Sequence, residues 1–289
     1  MLWRIHERLL PIDLVPFVRT ITALGDRVHV INSVGLNYAP LSASDTEEVI
    51  VLTTIQDARH LLRTPVPNRM FLYFDETRYN VSYWLPRVAS EIPVLNRQCL
   101  FMPYGMLKDC PVAFGIGGYP LNDGRVFVRP DSGLKPFTGM VVNCLSENIR
   151  DWAGVTKGLA RQIGNNQPYP EQMVCVSPAR DLAEVEWRFW IVDRVVVASS
   201  PYSWEEEQLG HIPPPASAVA IAEMMAKNPW QPDIAYVADV VQLADGTFVL
   251  NELNAASTSG VYDVDPARLV PALRDAALRE IAGELSIEN

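Results

Sequence analysis

Four cysteines and four histidines are all the soft metal ligands that this sequence of 289 residues offers. Cys99, Cys110, Cys144 and Cys175 are widely spaced with no CxxC pair, and the histidines are equally scattered. That spacing gives no zinc site, and it fits thiols kept reduced in a cytoplasm. There is no run of about twenty uncharged apolar residues, which excludes a transmembrane helix at the level of sequence. The opening "MLWRIHERLLPIDLVPFV" is interrupted by His6, Glu7, Arg8 and Asp13, so it does not read as a secretory signal. Basic residues are in deficit: 24 Lys and Arg against 34 Asp and Glu leave a formal net charge of −10. Such a charge argues against a general nucleic-acid binder and against an anionic membrane surface, while allowing a local basic pocket. Internal repeats and low-complexity tails are absent.

The composition is that of a soluble globular protein, 48% apolar and 20% charged, long enough for one large domain or two modest ones. "RVHVIN", "VIVLTT" and "RMFLYF" read as short buried strands, with the helical run "TIQDARHLLR" between the last two. Strands alternating with helices favour a partly parallel sheet. After the turn-rich "GIGGYPLNDG" the character changes. "RVFVRP" and "GMVVNC" flank the loop "DSGLKPFT"; a polar helix is expected near 147–163; "QMVCVS" is a strand, and "EWRFWIV" pairs with "RVVVASS". A helix over "PASAVAIAEMMAKN" enters through Pro213 to Pro215, and "PARLVPALRDAALREIAGEL" forms the last one. The predicted class is α+β, mostly antiparallel after residue 124, with a smaller α/β unit before it.

Residues 235–254, "AYVADVVQLADGTFVLNELN", form the most informative segment. Asp245-Gly246 predicts a type I′ hairpin turn, because both central residues of that turn need positive φ. With a two-residue loop, Ala244 faces Thr247, Asp239 faces Glu252, and Val237 faces Asn254. Alternation then puts Val237, Asp239, Val241, Leu243, Phe248, Leu250, Glu252 and Asn254 on one face, while the other face is apolar as well. Two facing carboxylates in such surroundings repel, and an isolated buried charge is costly. One acid can stay protonated, a cation can neutralise both, or one acid can pair with a buried arginine while the other turns to solvent. Asn254 adds a neutral oxygen on the same face, and oxygens of Asp, Glu and Asn suit Mg²⁺. A register slip of one residue would part the two acids.

An acid followed on the next strand by acid-x-Asn ("D…ELN") resembles the magnesium-binding end of ATP-grasp enzymes, and the earlier pieces fall in that family's order. "FVRPDSGLKPFTG" looks like the first nucleotide-clamping hairpin, "MVCVS" like the adenine-side strand, and "EWRFWIVDRVVVASSPY" like the next hairpin with its acid-x-Arg strand. More narrowly, the chain is similar to an ATP-grasp clade of bacteria and phages named for two arginines and a lysine. The resemblance covers roughly residues 95–265. It implies an ATP-grasp domain over residues 101–289, two α+β subdomains clamping nucleotide, preceded by an α/β domain over residues 1–100. It also implies an ATP- and Mg²⁺-dependent carboxylate–amine ligase. A carboxylate attacks the γ-phosphate to give an acylphosphate and ADP, and an amine displaces phosphate to form an amide or peptide-like bond.

The resemblance puts Asp239, Glu252 and Asn254 on one or two Mg²⁺ ions. It puts Arg129 on the phosphates, where most of the superfamily carries lysine and the narrower clade carries arginine; a planar guanidinium can grip phosphate oxygens in a bidentate way. Lys135 sits in a loop with Gly133 and Gly139 near its ends, either a lid over the triphosphate or a solvated tip. In "EWRFWIV", Trp187, Phe189 and Ile191 face a core, while Glu186, Arg188 and Trp190 share the opposite face. Arg188 is the candidate for stabilising the transferred phosphoryl group or orienting the acyl substrate. Glu186 either holds Arg188 or contacts ribose; an exposed Glu186–Arg188 pair is the structural alternative. Main-chain groups at Val174, Cys175 and Val176 are expected to read the adenine edge.

Ser257, Ser259 and Tyr262 in "TSGVYDVD" are placed to close over substrate, and Tyr73, Tyr79 and Tyr83 to hold part of a second substrate. "GIGGYP" reads as a plain turn and His211 as a loop residue. Partners would be ATP, a carboxylate and an amine acceptor, small molecule or peptide; a homodimer is left open. Two other classes compete: a nucleotide-binding module without catalysis, and a metal-dependent hydrolase, which would need more clustered His or Asp.

Overall fold

The computed structural model describes residues 1–9, 15–31, 47–63, 69–106, 125–143, 171–203 and 212–287. The chain forms two compact units that interleave along the sequence. The first comprises Met1–Asp75, Ala89–Pro93 and Ala183–Asn289, and the second Glu76–Val88 and Val94–Leu182. The boundary between compact units therefore does not fall at residue 100. The physical reason is a shared core: Trp3, Ile5, Ile50 and Leu52 pack in one buried cluster with Trp190, Val237, Leu269 and Leu273.

The first unit opens with β1 (Leu2–His6), α1 (Val15–Ala23), β2 (Arg27–Ile31), β3 (Val49–Leu52), α2 (Ile55–Arg63) and β4 (Met70–Phe71). The strands make a parallel sheet in the order β2-β1-β3-β4. Strand β1 is central, and the sequence reading missed it. Every one of its residues is buried, so the polar–apolar alternation of a half-exposed strand is absent, and Arg4 and His6 interrupt the apolar run.

Near this sheet Asp26 is buried and accepts hydrogen bonds on Oδ2 from Trp3 Nε1 (3.1 Å) and Arg274 Nε (2.8 Å). Burial works to raise the carboxyl's pKa, but the Arg274 and Trp3 hydrogen bonds outweigh it and hold the group below its ordinary value. With the folded pKa depressed, the stabilisation is present above the unfolded pKa and is lost as pH falls through the folded one. Asp26→Asn should therefore flatten the acid limb of the stability–pH curve. At neutral pH it should cost about 1–3 kcal/mol, since Trp3, Arg274 and the Met1 ammonium lose a charged acceptor. Urea unfolding across the acid range reads both, and an unchanged acid limb would refute the assignment.

The second unit contains α3 (Val81–Trp84), β5 (Leu100–Pro103), β6 (Arg125–Pro130), β7 (Met140–Asn143) and β8 (Met173–Pro178). Its antiparallel sheet runs β5-β8-β6-β7. Along β6, Val126, Val128 and Pro130 are buried while Arg125, Phe127 and Arg129 are half-buried, the period of a strand with one covered face.

The chain then returns to the first unit with β9 (Leu182–Val192), β10 (Val195–Ser203), α4 (Ala216–Ala226), β11 (Ala235–Leu243), β12 (Phe248–Ala255) and α5 (Pro266–Ile281). These strands form a sheet ordered β10-β9-β11-β12. The β9–β10 turn, Asp193-Arg194, has positive φ at both residues (46° and 64°), the geometry predicted instead for Asp245-Gly246. Asp265 caps α5, its Oδ1 accepting from Ala267 N at 2.9 Å, with Pro266 in the first turn. No helix among the described residues is long and apolar enough to cross a membrane.

Candidate functional site

Strands β11 and β12 pair as expected at the acids: Asp239 faces Glu252 and Val237 faces Asn254. The route to that register differs from the prediction. The hairpin loop is Ala244-Asp245-Gly246, closed by Leu243 N to Thr247 O at 2.8 Å and Gly246 N to Leu243 O at 2.9 Å. Only Gly246 has positive φ (88°), and Asp245 Oδ1 accepts from Thr247 N at 2.9 Å. This is a three-residue loop, which shifts the register by one: Gln242 faces Phe248 and Val240 faces Leu250. A bulge at Asn251 then inserts one residue and restores the facing of Asp239 and Glu252. Phe248 and Leu250 consequently lie on the face opposite the acids, and Val249 lies on theirs, a correction to the simple alternation.

Asp239 is completely buried, and its partner is Arg188 of β9. Arg188 Nε donates to Oδ1 at 2.9 Å and Nη2 to Oδ2 at 2.8 Å, a two-pronged pairing of guanidinium and carboxylate. The third nitrogen, Nη1, donates to Gly260 O at 3.3 Å, and the guanidinium carbon lies 5.1 Å from the Tyr262 ring centroid. Arg188 is thus neither an exposed partner of Glu186 nor on a solvated sheet face; Glu186, Trp187, Arg188, Phe189 and Trp190 are all buried. Trp190 belongs to the unit's core, which explains why both faces of β9 are covered.

Asn254 joins the two carboxylates. Its Nδ2 donates to Asp239 Oδ2 at 2.7 Å and to Glu252 Oε1 at 2.9 Å, so three side-chain ends converge on one spot. A half-turn of the amide would present Asn254 Oδ1 to the same spot. Asp239 is buried, Glu252 is half-buried, and β9, β11 and β12 carry Glu186, Asp239 and Glu252 inside the sheet against one basic side chain, Arg188. Oxygen donors carrying excess negative charge fit a hard divalent cation such as Mg²⁺. Among the described residues no three or more His, Cys, Asp or Glu side chains form a metal-holding group, so the third donor here would be an amide.

The bulge also exposes a residue that sequence reasoning missed. Asn251, nearly buried, donates from Nδ2 to Glu186 Oε1 at 2.7 Å. An extra residue in one strand re-aims its side chain, and nothing in a period-two pattern announces it. Of the three residues expected to close over substrate, Tyr262 lies against Arg188 and is held at a φ of 46°. Ser257 Oγ accepts from Tyr73 N at 2.9 Å and Ser259 Oγ donates to Ala255 O at 2.8 Å, both structural tasks. Tyr73 is likewise buried in the core, its hydroxyl donating to Glu280 Oε1 at 2.7 Å, and Tyr79 is buried. Tyr83 is half-buried with the Arg87 guanidinium 3.8 Å from its ring centroid.

In the second unit, Arg129 is half-buried on β6 directly opposite Cys175 of β8. The following loop is no loose tip. Asp131 accepts from Ser82 N and Ser82 Oγ, each at 2.7 Å, and Gly133 N donates to Asn80 Oδ1 at 3.0 Å. A Cβ on Gly133 would lie 2.6 Å from Tyr79 Cβ, so glycine is what permits this close approach. Lys135 is exposed at a φ of 47°. Val174, Cys175 and Val176 are paired on both sides, with β5 and with β6, so their main-chain groups serve the sheet and do not face a base edge. "GIGGYP", the helix expected near 147–163, Cys110, Cys144 and His211 lie outside the described residues.

The family model for the ATP-grasp domain of the clade named for two arginines and a lysine, the third family of that clade, matches residues 113–273, more than half of the chain. D-cycloserine synthetase DcsG is similar in structure, with a TM-score of 0.63 at 14% identity, covering 96% of this chain and 100% of that one. The RimK domain protein ATP-grasp from Sphaerobacter thermophilus has a TM-score of 0.59 at 16% identity, covering 96% and 99%. D-alanyl-alanine synthetase A from Vibrio cholerae has 0.55 at 12%, covering 96% and 98%. At these identities the likeness is one of fold, and no curated protein matches the chain in sequence. Nucleotide-clamp order in the sequence, two facing acids bridged by Asn254, and a matching domain model agree: the chain belongs to the ATP-grasp superfamily, in the clade of the two arginines and the lysine.

Proposed function

We propose that the protein is an ATP- and Mg²⁺-dependent ligase that joins a carboxylate to an amine through an acylphosphate. The observation that carries this reading is the convergence of Asp239 and Glu252 on Asn254, each within hydrogen-bond distance of its amide, braced by Arg188. Asp239, Glu252 and Asn254 would hold the metal, which supplies charge neutralisation at the β- and γ-phosphates. Arg188, committed to Asp239 through two donors, orients that carboxylate and lends positive charge to the site. Glu186, held by Asn251, contacts ribose. Arg129 binds phosphate, and Lys135 reaches the nucleotide from its anchored loop. The acceptor is a small molecule or peptide amine, and the protein works in the cytoplasm, as a monomer or homodimer.

Calorimetric titration with ATP, with and without Mg²⁺, followed by ADP release in the presence of candidate carboxylates and amines, tests this reading. Metal-dependent binding and acceptor-dependent ADP release are expected. Absence of any nucleotide binding to the intact protein would overturn it.

A further inference from the structure

Cys99 and Cys175 are separated by most of the second unit's sequence, yet the sheet brings them together. Phe101 of β5 faces Cys175 of β8, and Leu100 faces Val176. Cys99 stands two residues before Phe101, so continuing the antiparallel ladder places its side chain on the same face as Cys175, one diagonal step away. The register therefore makes the two thiols neighbours on one face of the sheet. Cys175 is buried, Cys99 is half-buried, and both are free thiols. Arg129 lies directly across β8–β6 from Cys175, so a guanidinium shares this face.

We propose that Cys99 and Cys175 form a redox-active dithiol that closes to a disulfide on oxidation by a hydroperoxide. The division of labour follows from position: the half-exposed Cys99 meets the oxidant, and the buried Cys175 resolves it. The acidities agree with this order. The neighbouring Cys175 thiol lowers the Cys99 thiol's pKa, with help from Arg129, while the same pairing and burial push Cys175 up. The Cys99 thiolate attacks the peroxide oxygen; an S–O bond forms, the O–O bond breaks, and water or an alcohol leaves. Cys99 is then a sulfenic acid, oxidised by two electrons that the peroxide has taken up. The Cys175 sulfur attacks Cys99 sulfur; the S–S bond forms, the S–O bond breaks, and water leaves with the Cys175 proton. A dithiol reductant returns two electrons and two protons to reopen the pair.

The inference does not depend on the ligase reading, since it concerns the two thiols alone. Its test uses the full chain in its native state, exposed to hydrogen peroxide, then alkylated, digested and mapped by mass spectrometry. A Cys99–Cys175 cross-linked peptide is expected, lost on reduction by a dithiol and absent from Cys99→Ser. In Cys175→Ser, Cys99 should instead stop at a sulfenic acid that dimedone traps. Recovery of both thiols unoxidised, Cys99 driven to sulfinic acid without a cross-link, or Cys99 joined to Cys110 or Cys144 would each overturn the proposal.

Discussion

Arg188→Met is expected to lower the unfolding free energy by about 3–5 kcal/mol, the largest stability effect of any single substitution in the site. Asp239 has no exposed surface, and Arg188 supplies two of the hydrogen bonds on its carboxylate. Truncating the arginine leaves a buried charge with a single neutral amide donor, Asn254. Methionine retains much of the volume, so a cavity contributes little and the uncompensated charge dominates. The double variant Arg188→Met with Asp239→Leu should regain most of the loss, because an apolar pair can replace a buried ion pair at little cost in stability. Denaturant unfolding of the two variants separates these cases. If Arg188→Met were as stable as the wild type, the pair would be a bystander.

Glu252→Ala should behave in the opposite way. Glu252 is half-buried on β12, an end strand of its sheet, so its removal relieves repulsion with Asp239 and leaves the fold nearly as stable, within about 1 kcal/mol. Binding of ATP in the presence of Mg²⁺ should nevertheless weaken by about 100-fold or more, since removing even a residue behind a metal ligand costs about 10- to 100-fold. Calorimetry on a folded variant reads this directly. Asn254→Ala is a useful contrast: it removes the amide between the two carboxylates, so it should cost both stability and affinity.

Residue types and spacing made the acids of the hairpin legible, and the order of the flanking strands made the family legible. The facing of Asp239 and Glu252 was predicted from a two-residue turn, yet it arises from a three-residue loop and a bulge that compensate each other. Periodicity carries no signal for a bulge, so Asn251 and its hold on Glu186 were invisible. A buried arginine beside one acid was among the expected arrangements, but which arginine depends on β9 lying next to β11, a tertiary fact. Strand β1 was missed because burial on both faces erases alternation. The juxtaposition of Cys99 and Cys175 rests on the pairing of β5 with β8 across a long intervening segment, which local patterns do not encode. Main-chain recognition at residues 174–176 failed for a related reason: a strand in the middle of a sheet spends its backbone groups on its neighbours.

The most direct test of the central claim is a crystal structure with Mg²⁺ and a non-hydrolysable ATP analogue. The account predicts a magnesium ion about 2.0–2.1 Å from side-chain oxygens of Asp239, Glu252 and Asn254, with analogue phosphate oxygens completing its octahedron and Arg188 still paired to Asp239. A nucleotide whose phosphates lie away from this trio, with no metal between the two carboxylates, would contradict it.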